Sequence, residues 1–142
     1  MKREDIIVRA RSLISVPWVH QGRDWTQGID CVGLPIMVGT SLGLDLSALP
    51  TNYPRRPDGT FMRYFREHMD IKELLKHDDG DVLVFSKSGH PCHCGIRSTL
   101  RGKPAIIHAH ASYRKVVEQT LESAVAVLGK PGYVFAFPGV ED

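Results

Sequence analysis

The chain has 142 residues, of which 42% are hydrophobic and 24% are charged. These are ordinary values for a globular protein, and the length predicts one compact domain over residues 1–142. Eighteen basic against sixteen acidic residues leave a net charge of +2, which gives no electrostatic case for binding nucleic acid. The longest apolar runs, 32–38 and 124–128, are far shorter than the roughly 20 residues of a membrane span. No secretory apolar segment follows the N-terminus, so we expect a protein made in the cytoplasm.

Apolar residues at helical spacing predict helices in the first half of the chain. The first contains the residues Ile6 to Ile14 and stops at Ser15-Val16-Pro17. The second runs from about Cys31 to Leu42, with Asp30 as its N-cap. Pro35 is an anomaly inside this second helix, because it lacks the N–H that would bond the carbonyl of Cys31. A third helix is expected over about Thr60–His68.

The second half of the chain has the pattern of β-strands. Turn residues at Asp79-Gly80 and at Lys130-Pro131-Gly132 bound short apolar runs. Helices followed by a series of antiparallel strands indicate the α+β class. The predicted strands are Val82–Phe85, Cys92–Arg97, Ala105–His110, Val116–Val117 and Tyr133–Phe137.

Cys31 is the first candidate for a catalytic role. It follows a loop and begins an apolar helix, where unpaired N–H groups and the helix dipole favour the thiolate form. The thiolate is the nucleophilic form of cysteine, and the same N–H groups could stabilise an oxyanion. The alternative is an inert cysteine that packs as a small hydrophobic residue.

A nucleophilic cysteine requires a base and a group that orients the base. His93 and His108 lie on successive predicted strands, and pairing of those strands would place the two side by side. Strand alternation would turn Cys92 and Cys94 to the opposite face from His93, where we expect both to pack in the core. His110 lies near a strand end, is expected to meet solvent and is left out of the arrangement.

A zinc site is the competing interpretation of the cysteines and histidines. Zinc loops usually separate paired cysteines by two to four residues, whereas Cys92 and Cys94 are separated by one. Strand alternation would also divide the ligands between two faces, so we predict no bound metal. The residues suited to zinc by type are His90, Cys92, His93, Cys94, His108 and His110.

Five segments, in order, resemble the motifs of the NlpC-type family of papain-like cell-wall cysteine peptidases. The stretch Trp18–Arg23 is similar to the branch of that family found in phage tails and gene-transfer-agent particles. The five segments are Pro17-Trp18-Val19, Ile29–Leu34 with its Asp30-Cys31 pair, Gly80–Phe85, His93–Ile96 and Ile107-His108-Ala109.

The resemblance implies a helix that carries the nucleophile, packed on a five- or six-stranded antiparallel sheet. It implies Cys31 as nucleophile, His93 as general base and His108 as the residue that orients it, without metal or organic cofactor. Asp30 and Trp18 match positions that the family uses around the amino end of the substrate. Trp18 stands where the family usually has Tyr, and Val32 where it usually has Ser, so two polar groups are lost.

The implied activity is hydrolysis of peptidoglycan stem peptides, in this family commonly between D-glutamate and the following diamino acid, with phage tail proteins as expected partners. Three alternatives remain: an amidase or acyltransferase on the same scaffold, a catalytically impaired tail-assembly module, and a zinc-binding module. The loop 43–60 is a further hypothesis, because Tyr53, Arg55 and Arg56 could border the cleft and meet an acidic stem peptide.

Overall fold

An antiparallel sheet organises the computed structural model, which describes residues 1–45 and 60–141. The helices of this part are α1 (Arg3–Arg11), α2 (Gly33–Ser41), α3 (Thr60–His68) and α4 (Leu121–Leu128). The strands are β1 (Arg23–Asp24), β2 (Gly28–Ile29), β3 (Asp70–Lys72), β4 (Val82–Lys87), β5 (His90–Leu100), β6 (Lys103–His110), β7 (Lys115–Thr120) and β8 (Pro131–Ala136).

Strands β3 to β8 form a six-stranded sheet in the order β3-β8-β4-β5-β6-β7, and every pair is antiparallel. The short strands β1 and β2 form a separate hairpin ahead of α2. The α+β class predicted from the sequence is confirmed, with a sheet at the upper end of the predicted strand number.

Alternate side chains of the sheet pack against helices on its two faces. One face, here called the major core, buries Val84, Cys94 and Ile107 together with apolar residues of α1, α2 and α3. The other face, here called the α4 core, buries Leu83, Phe85 and Ile106 with Ala124 and Leu128 of α4. Full burial of each large apolar side chain contributes about 1.5–3 kcal/mol, so both faces stabilise the sheet.

The predicted helices are present with shifted ends. Helix α1 begins at Arg3 and ends at Arg11, where the chain enters a turn that places Ser15 at a φ of 78°. Helix α2 begins at Gly33, two residues later than predicted, because Cys31 and Val32 form a turn before it. Helix α3 has the predicted bounds.

The sequence pattern missed α4, β3 and the β1–β2 hairpin. Helix α4 has a local signal in Thr120, whose side-chain oxygen accepts the amide of Ser123 at 3.3 Å as an N-cap does. Strand β3 has only one apolar residue, Ile71, and that residue is exposed, so hydrophobic alternation could not reveal it. The predicted strands are all present but longer, since polar and proline residues at their ends also pair, and the last strand ends at Ala136, one residue before the predicted end.

Two further predictions concern membrane spans and the loop 43–60. Within the described residues, no helix has the length and apolar character needed to cross a membrane. Most of the predicted loop 43–60 lies outside the described residues, and Tyr53, Arg55 and Arg56 lie there with it.

Candidate active site

The carboxylate of Asp30 holds the start of α2. Its Oδ1 accepts the amide of Gly33 at 2.8 Å and the guanidinium of Arg23 at 3.0 Å, and its Oδ2 accepts the amide of Gln21 at 2.9 Å. The side chain is buried, with 3% exposure for the residue. The N-cap of α2 is Val32, so the predicted N-cap position of Asp30 is wrong by two residues. Asp30 instead holds the amide of the first helical residue, and it anchors the loop that precedes the β1–β2 hairpin.

Cys31 follows Asp30 and is half-buried at the N-terminal end of α2. The amide of Gly33 is used by Asp30 Oδ1, and the amide of Leu34 bonds the Asp30 carbonyl at 3.2 Å. Within the described residues, the amides of Cys31 and Val32 donate to no other group. Two free N–H groups therefore lie beside the Cys31 side chain, which is the arrangement an oxyanion hole requires.

The carbonyl of Cys31 explains the anomaly of Pro35. Because α2 begins at Gly33, Pro35 lies in its first turn, where a missing N–H costs little. The Cys31 carbonyl that an N–H at position 35 would bond instead accepts the thiol of Cys94 at 3.1 Å. Cys94 is fully buried in β5 and follows His93 directly, so this contact ties the start of α2 to the strand of the candidate base.

The imidazoles of His93 and His108 form a hydrogen bond, with 2.7 Å between His93 Nε2 and His108 Nδ1. Both rings are buried, and β5 and β6 pair next to them from Ile96 and Ile107 onward. A side chain at Gly95 would lie 2.8 Å from the Cβ of His108. Glycine at that position therefore permits the close approach of the two strands that the ring–ring contact needs.

Cys31 and His93 are held at β5 by contacts on different faces of the sheet. Cys31 packs against the major core, whereas His93 pairs with Phe85 and so shares the face of the α4 core. Within the described residues, the Cys31 thiol makes no hydrogen bond to His93 or His108. The structure thus brings the two histidines into contact, and it ties the main chain of Cys31 to β5 at Cys94, the residue after His93.

The prediction that Cys92 and Cys94 share a face is wrong. A register shift between β4 and β5 pairs Phe85 with His93 and Ser86 with Pro91, so Cys92 is an extra residue in the ladder. Such a bulge breaks the strict alternation on which the prediction depended. Cys92 consequently packs against the α4 core and Cys94 in the major core.

Two residues that were not predicted for the site, Gln119 and His110, contact the histidines. His108 Nε2 lies 2.7 Å from Gln119 Oε1 on β7. The ring of His110, which we expected to meet solvent, is half-buried with its centroid 5.1 Å from that of His93. Gln119 belongs to a strand with largely half-buried positions, and no sequence pattern singles it out.

Burial makes the imidazolium forms of these histidines unfavourable. Desolvation, followed by the charges of the neighbouring imidazoles His108 and His110, holds the pKa of His93 well below its usual value. Burial lowers the pKa of His108 to about 4, although its hydrogen bond with Gln119 acts in the opposite direction. Both rings are therefore neutral at pH 7, as a general base must be before it accepts a proton.

Trp18, the other predicted substrate contact, lies half-buried beside the major core. Its amide donates to the carbonyl of Arg114 at 2.9 Å, and it forms a parallel bridge with Ile29, two residues before Cys31. Trp18 and Asp30 therefore both lie near the start of α2.

The residues suited to zinc do not form a metal centre in the described structure. Within residues 1–45 and 60–141, no group of three or more His, Cys, Asp or Glu side chains is arranged to hold a metal ion. Cys31, Cys92 and Cys94 are free thiols.

No protein-family profile and no curated protein matches the sequence. The fold matches the NlpC/p60 domain of the peptidoglycan hydrolase SagA with a TM-score of 0.68 and 18% identity, covering 96% of this chain and 100% of that one. It matches an NlpC/P60 family protein from Bacillus cereus with a TM-score of 0.70 and 17% identity, covering 95% of this chain and 40% of that longer one.

An N-acetylmuramoyl-L-alanine amidase from Bacteroides uniformis has the same fold, with a TM-score of 0.62 and 14% identity over 94% of this chain and 96% of that one. At these identities the similarity establishes architecture. The helix that begins after Cys31, the antiparallel sheet and the neighbouring structures together identify the fold as that of papain-like NlpC/p60 domains.

Proposed function

We propose that this protein is a cysteine hydrolase that cleaves an amide bond in the peptide stems of peptidoglycan. The observation that carries the proposal is the buried His93–His108 pair, at 2.7 Å between ring nitrogens. His93 lies directly before Cys94, whose thiol bonds the carbonyl of Cys31. Structures of similar fold include a peptidoglycan hydrolase and an N-acetylmuramoyl-L-alanine amidase, which supports a cell-wall substrate.

In the proposed reaction, Cys31 Sγ attacks the carbonyl carbon of the stem amide while its proton passes to His93. The oxyanion that forms is positioned for the free amides of Cys31 and Val32. His93 then gives the proton to the leaving nitrogen, the C–N bond breaks, and a thioester remains on Cys31. A water molecule deprotonated by His93 hydrolyses the thioester and regenerates the thiol.

The nucleophile and the base must approach each other for this reaction. Catalytic hydrogen bonds in substrate-free enzymes are often long and shorten when the substrate binds. We expect the contact between Cys31 Sγ and His93 to form in the substrate complex, with His108 holding the base in place. Asp30 and Trp18 border the start of α2 and are proposed to contact the substrate side of the site.

Two bonds of the stem are candidates for cleavage. The resemblance of the motifs favours an endopeptidase that cuts after D-glutamate, and the fold shared with an N-acetylmuramoyl-L-alanine amidase supports the amide that joins the stem to the sugar as the second candidate. Both reactions use the same nucleophile and base, and they differ in the fragment that is released.

The test is digestion of purified muropeptides, with products separated by liquid chromatography and identified by mass spectrometry. An endopeptidase leaves a shortened stem on the sugar, whereas an amidase releases the whole stem. Cys31→Ser is the matched control, since it exchanges only the nucleophilic atom. Equal product from the Cys31→Ser variant, or no product from any muropeptide with the wild-type protein, would refute the proposal.

Incorporation of the protein into a phage tail is a separate part of the proposal. The stretch Trp18–Arg23, similar to phage-tail members of the family, supports a protein made in the cytoplasm and incorporated into a phage tail, where tail proteins would be its partners. Detection of the chain in purified particles by mass spectrometry is the expected result. Its presence only in the soluble fraction of producing cells would contradict this setting.

A further inference from the structure

The first turn of α4 determines the orientation of the Gln119 side chain. The hydroxyl of Ser123 donates its proton to the carbonyl of Thr120 at 3.1 Å. With that proton used, Ser123 Oγ can only accept from Gln119 Nε2, which lies 2.8 Å away. The amide nitrogen of Gln119 therefore faces Ser123, and its oxygen Oε1 faces His108.

The orientation of Gln119 in turn assigns the protons of both imidazoles. Gln119 Oε1 has no proton to give, so His108 Nε2, at 2.7 Å, must be the protonated nitrogen. In a neutral ring the other nitrogen, Nδ1, is then an acceptor, and it receives the proton on His93 Nε2 at 2.7 Å. His93 is left with its bare nitrogen at Nδ1.

We propose that Gln119, itself oriented by Ser123, is a positioning residue that fixes the tautomers of His108 and His93 and leaves His93 Nδ1 as the nitrogen that accepts the Cys31 proton. The transfer of the Cys31 proton to His93 rests on the proposed function, whereas the tautomer assignment does not. The chain of hydrogen bonds runs from the first turn of α4 through β7 and β6 to β5, across three adjacent strands of the sheet.

Burial makes this chain of hydrogen bonds effective. His93 and His108 are 6% and 0% exposed, so water does not compete for their ring nitrogens. The lowered pKa of each ring keeps it neutral at pH 7, and only a neutral imidazole has a tautomer to be selected. The groups around the pair are the imidazole of His110 on β6 and the ring of Tyr113, with Lys87 of β4 acting on His110.

The test is nitrogen NMR of the ring atoms in protein labelled with ¹⁵N-histidine at pH 7. In the wild type we expect a protonated Nε2 and a bare Nδ1 for both His93 and His108. Gln119→Leu should move the His108 proton away from Nε2, whereas Gln119→Glu should keep His108 Nε2 protonated because the carboxylate still accepts from it. Ser123→Ala should weaken the bias, since the Gln119 amide is then free to rotate. Glu122→Ala, an exposed change in the same helix turn, is the matched control.

Turnover provides the second measurement. We expect Gln119→Leu to lower kcat by about 10–100-fold with little change in KM, the same size of loss that follows removal of the outer hydrogen-bond partner of a metal-binding histidine, with recovery in Gln119→Glu. Wild-type tautomers in a folded Gln119→Leu variant would overturn the proposal. If the tautomers respond but no muropeptide is cleaved, the proposed function fails and the assignment of Gln119 stands.

Discussion

The thiol of Cys94 donates a hydrogen bond of 3.1 Å to the main-chain carbonyl of Cys31, 63 residues earlier in the chain. A helix that extended back to Cys31 would bond this carbonyl to the N–H of residue 35, but that residue is proline and has no N–H. The proline in α2 and the cysteine in β5 are therefore two parts of one arrangement. That contact joins the candidate nucleophile to the strand that carries the candidate base.

The first prediction tests this contact directly. Cys94→Ala removes the donor from a fully buried site, and we expect a loss of about 1–3 kcal/mol in the free energy of unfolding, the usual cost of a buried acceptor without a partner plus a small cavity. Cys94→Ser retains a donor and should lose less. Urea denaturation measures both, and Cys92→Ala, with its weaker 3.5 Å contact to the Phe85 carbonyl, is the control. A Cys94→Ala variant as stable as wild type would contradict the role of this bond.

The second prediction concerns the relative reactivity of the three thiols. Burial raises the pKa of Cys92 and, more strongly, that of Cys94, so both remain protonated at pH 7. Cys31 is half-buried at a helix N-terminus, and we expect iodoacetamide to modify it first. Mass spectrometry of peptides at timed intervals gives the three rates. Equal rates for Cys31 and Cys92 would oppose a nucleophilic role for Cys31, and a chelator should leave the order unchanged.

The third prediction is that Gly95→Ala separates the two histidines. The added methyl group would lie 2.7 Å from the Ile106 side chain and 2.8 Å from both His108 Cβ and the Ile107 carbonyl. Relief of these contacts requires β6 to move away from β5, which costs about 1–3 kcal/mol of stability and lengthens the His93–His108 hydrogen bond. We expect muropeptide cleavage to be lost in protein that still folds. Gly102→Ala is the control in the same hairpin: its φ of 77° strains an alanine and costs stability, but no atom lies within 4 Å, so the variant does not crowd the histidines.

The fourth prediction is a loss of stability as the pH falls below neutral. The pKa of His108 is about 4 in the folded chain and about 6.5 in an unfolded one, so the unfolded state binds more protons between these values. The free energy of unfolding should therefore decrease from about pH 7 towards pH 4, by on the order of 3 kcal/mol from His108. His93 acts in the same direction. Denaturation across this range, compared with His108→Gln, measures the effect, and an identical slope in the variant would refute it.

The fifth prediction concerns the Asp30 carboxylate, which holds the start of α2. Asp30→Asn would place an NH₂ group against the amide of Gln21 or against the amide of Gly33, where the carboxylate now accepts from both. We expect a loss of about 1–3 kcal/mol in stability, because one buried donor is left unpaired. Asp24→Asn is the matched control, since only Asp24 Oδ1 accepts in its exposed turn and an amide oxygen can replace it. An Asp30→Asn variant with the stability of Asp24→Asn would contradict this role of the Asp30 carboxylate.

Local patterns in the sequence were sufficient for the class of the fold and for the position of most elements. Helical spacing located α1 and α2, and the turn between β5 and β6 placed His93 and His108 on neighbouring strands. The role of Asp30 at the start of α2 was also predictable, although its position relative to the helix was not, because a carboxylate and the amide it bonds lie within a few residues of each other. Thr120 and Gly129 are residues typical of the two ends of a helix, and they flank α4. The largely apolar segment between them lacks a clear helical pattern, so the helix was not predicted.

Local sequence patterns therefore establish the α+β class, the helix that follows Cys31 and the pair of strands that carry His93 and His108. The packing of Cys92 and Cys94 on opposite faces is a property of the folded chain, because a bulge exists only between two strands aligned in register. The folded chain also explains why Pro35 is tolerated, because the thiol of the distant Cys94 bonds the Cys31 carbonyl. It likewise reveals the role of Gln119, which bonds Ser123 where β7 meets α4. Periodicity encodes which face of an element is buried, and hydrogen bonds between elements depend on distances that only the folded chain sets.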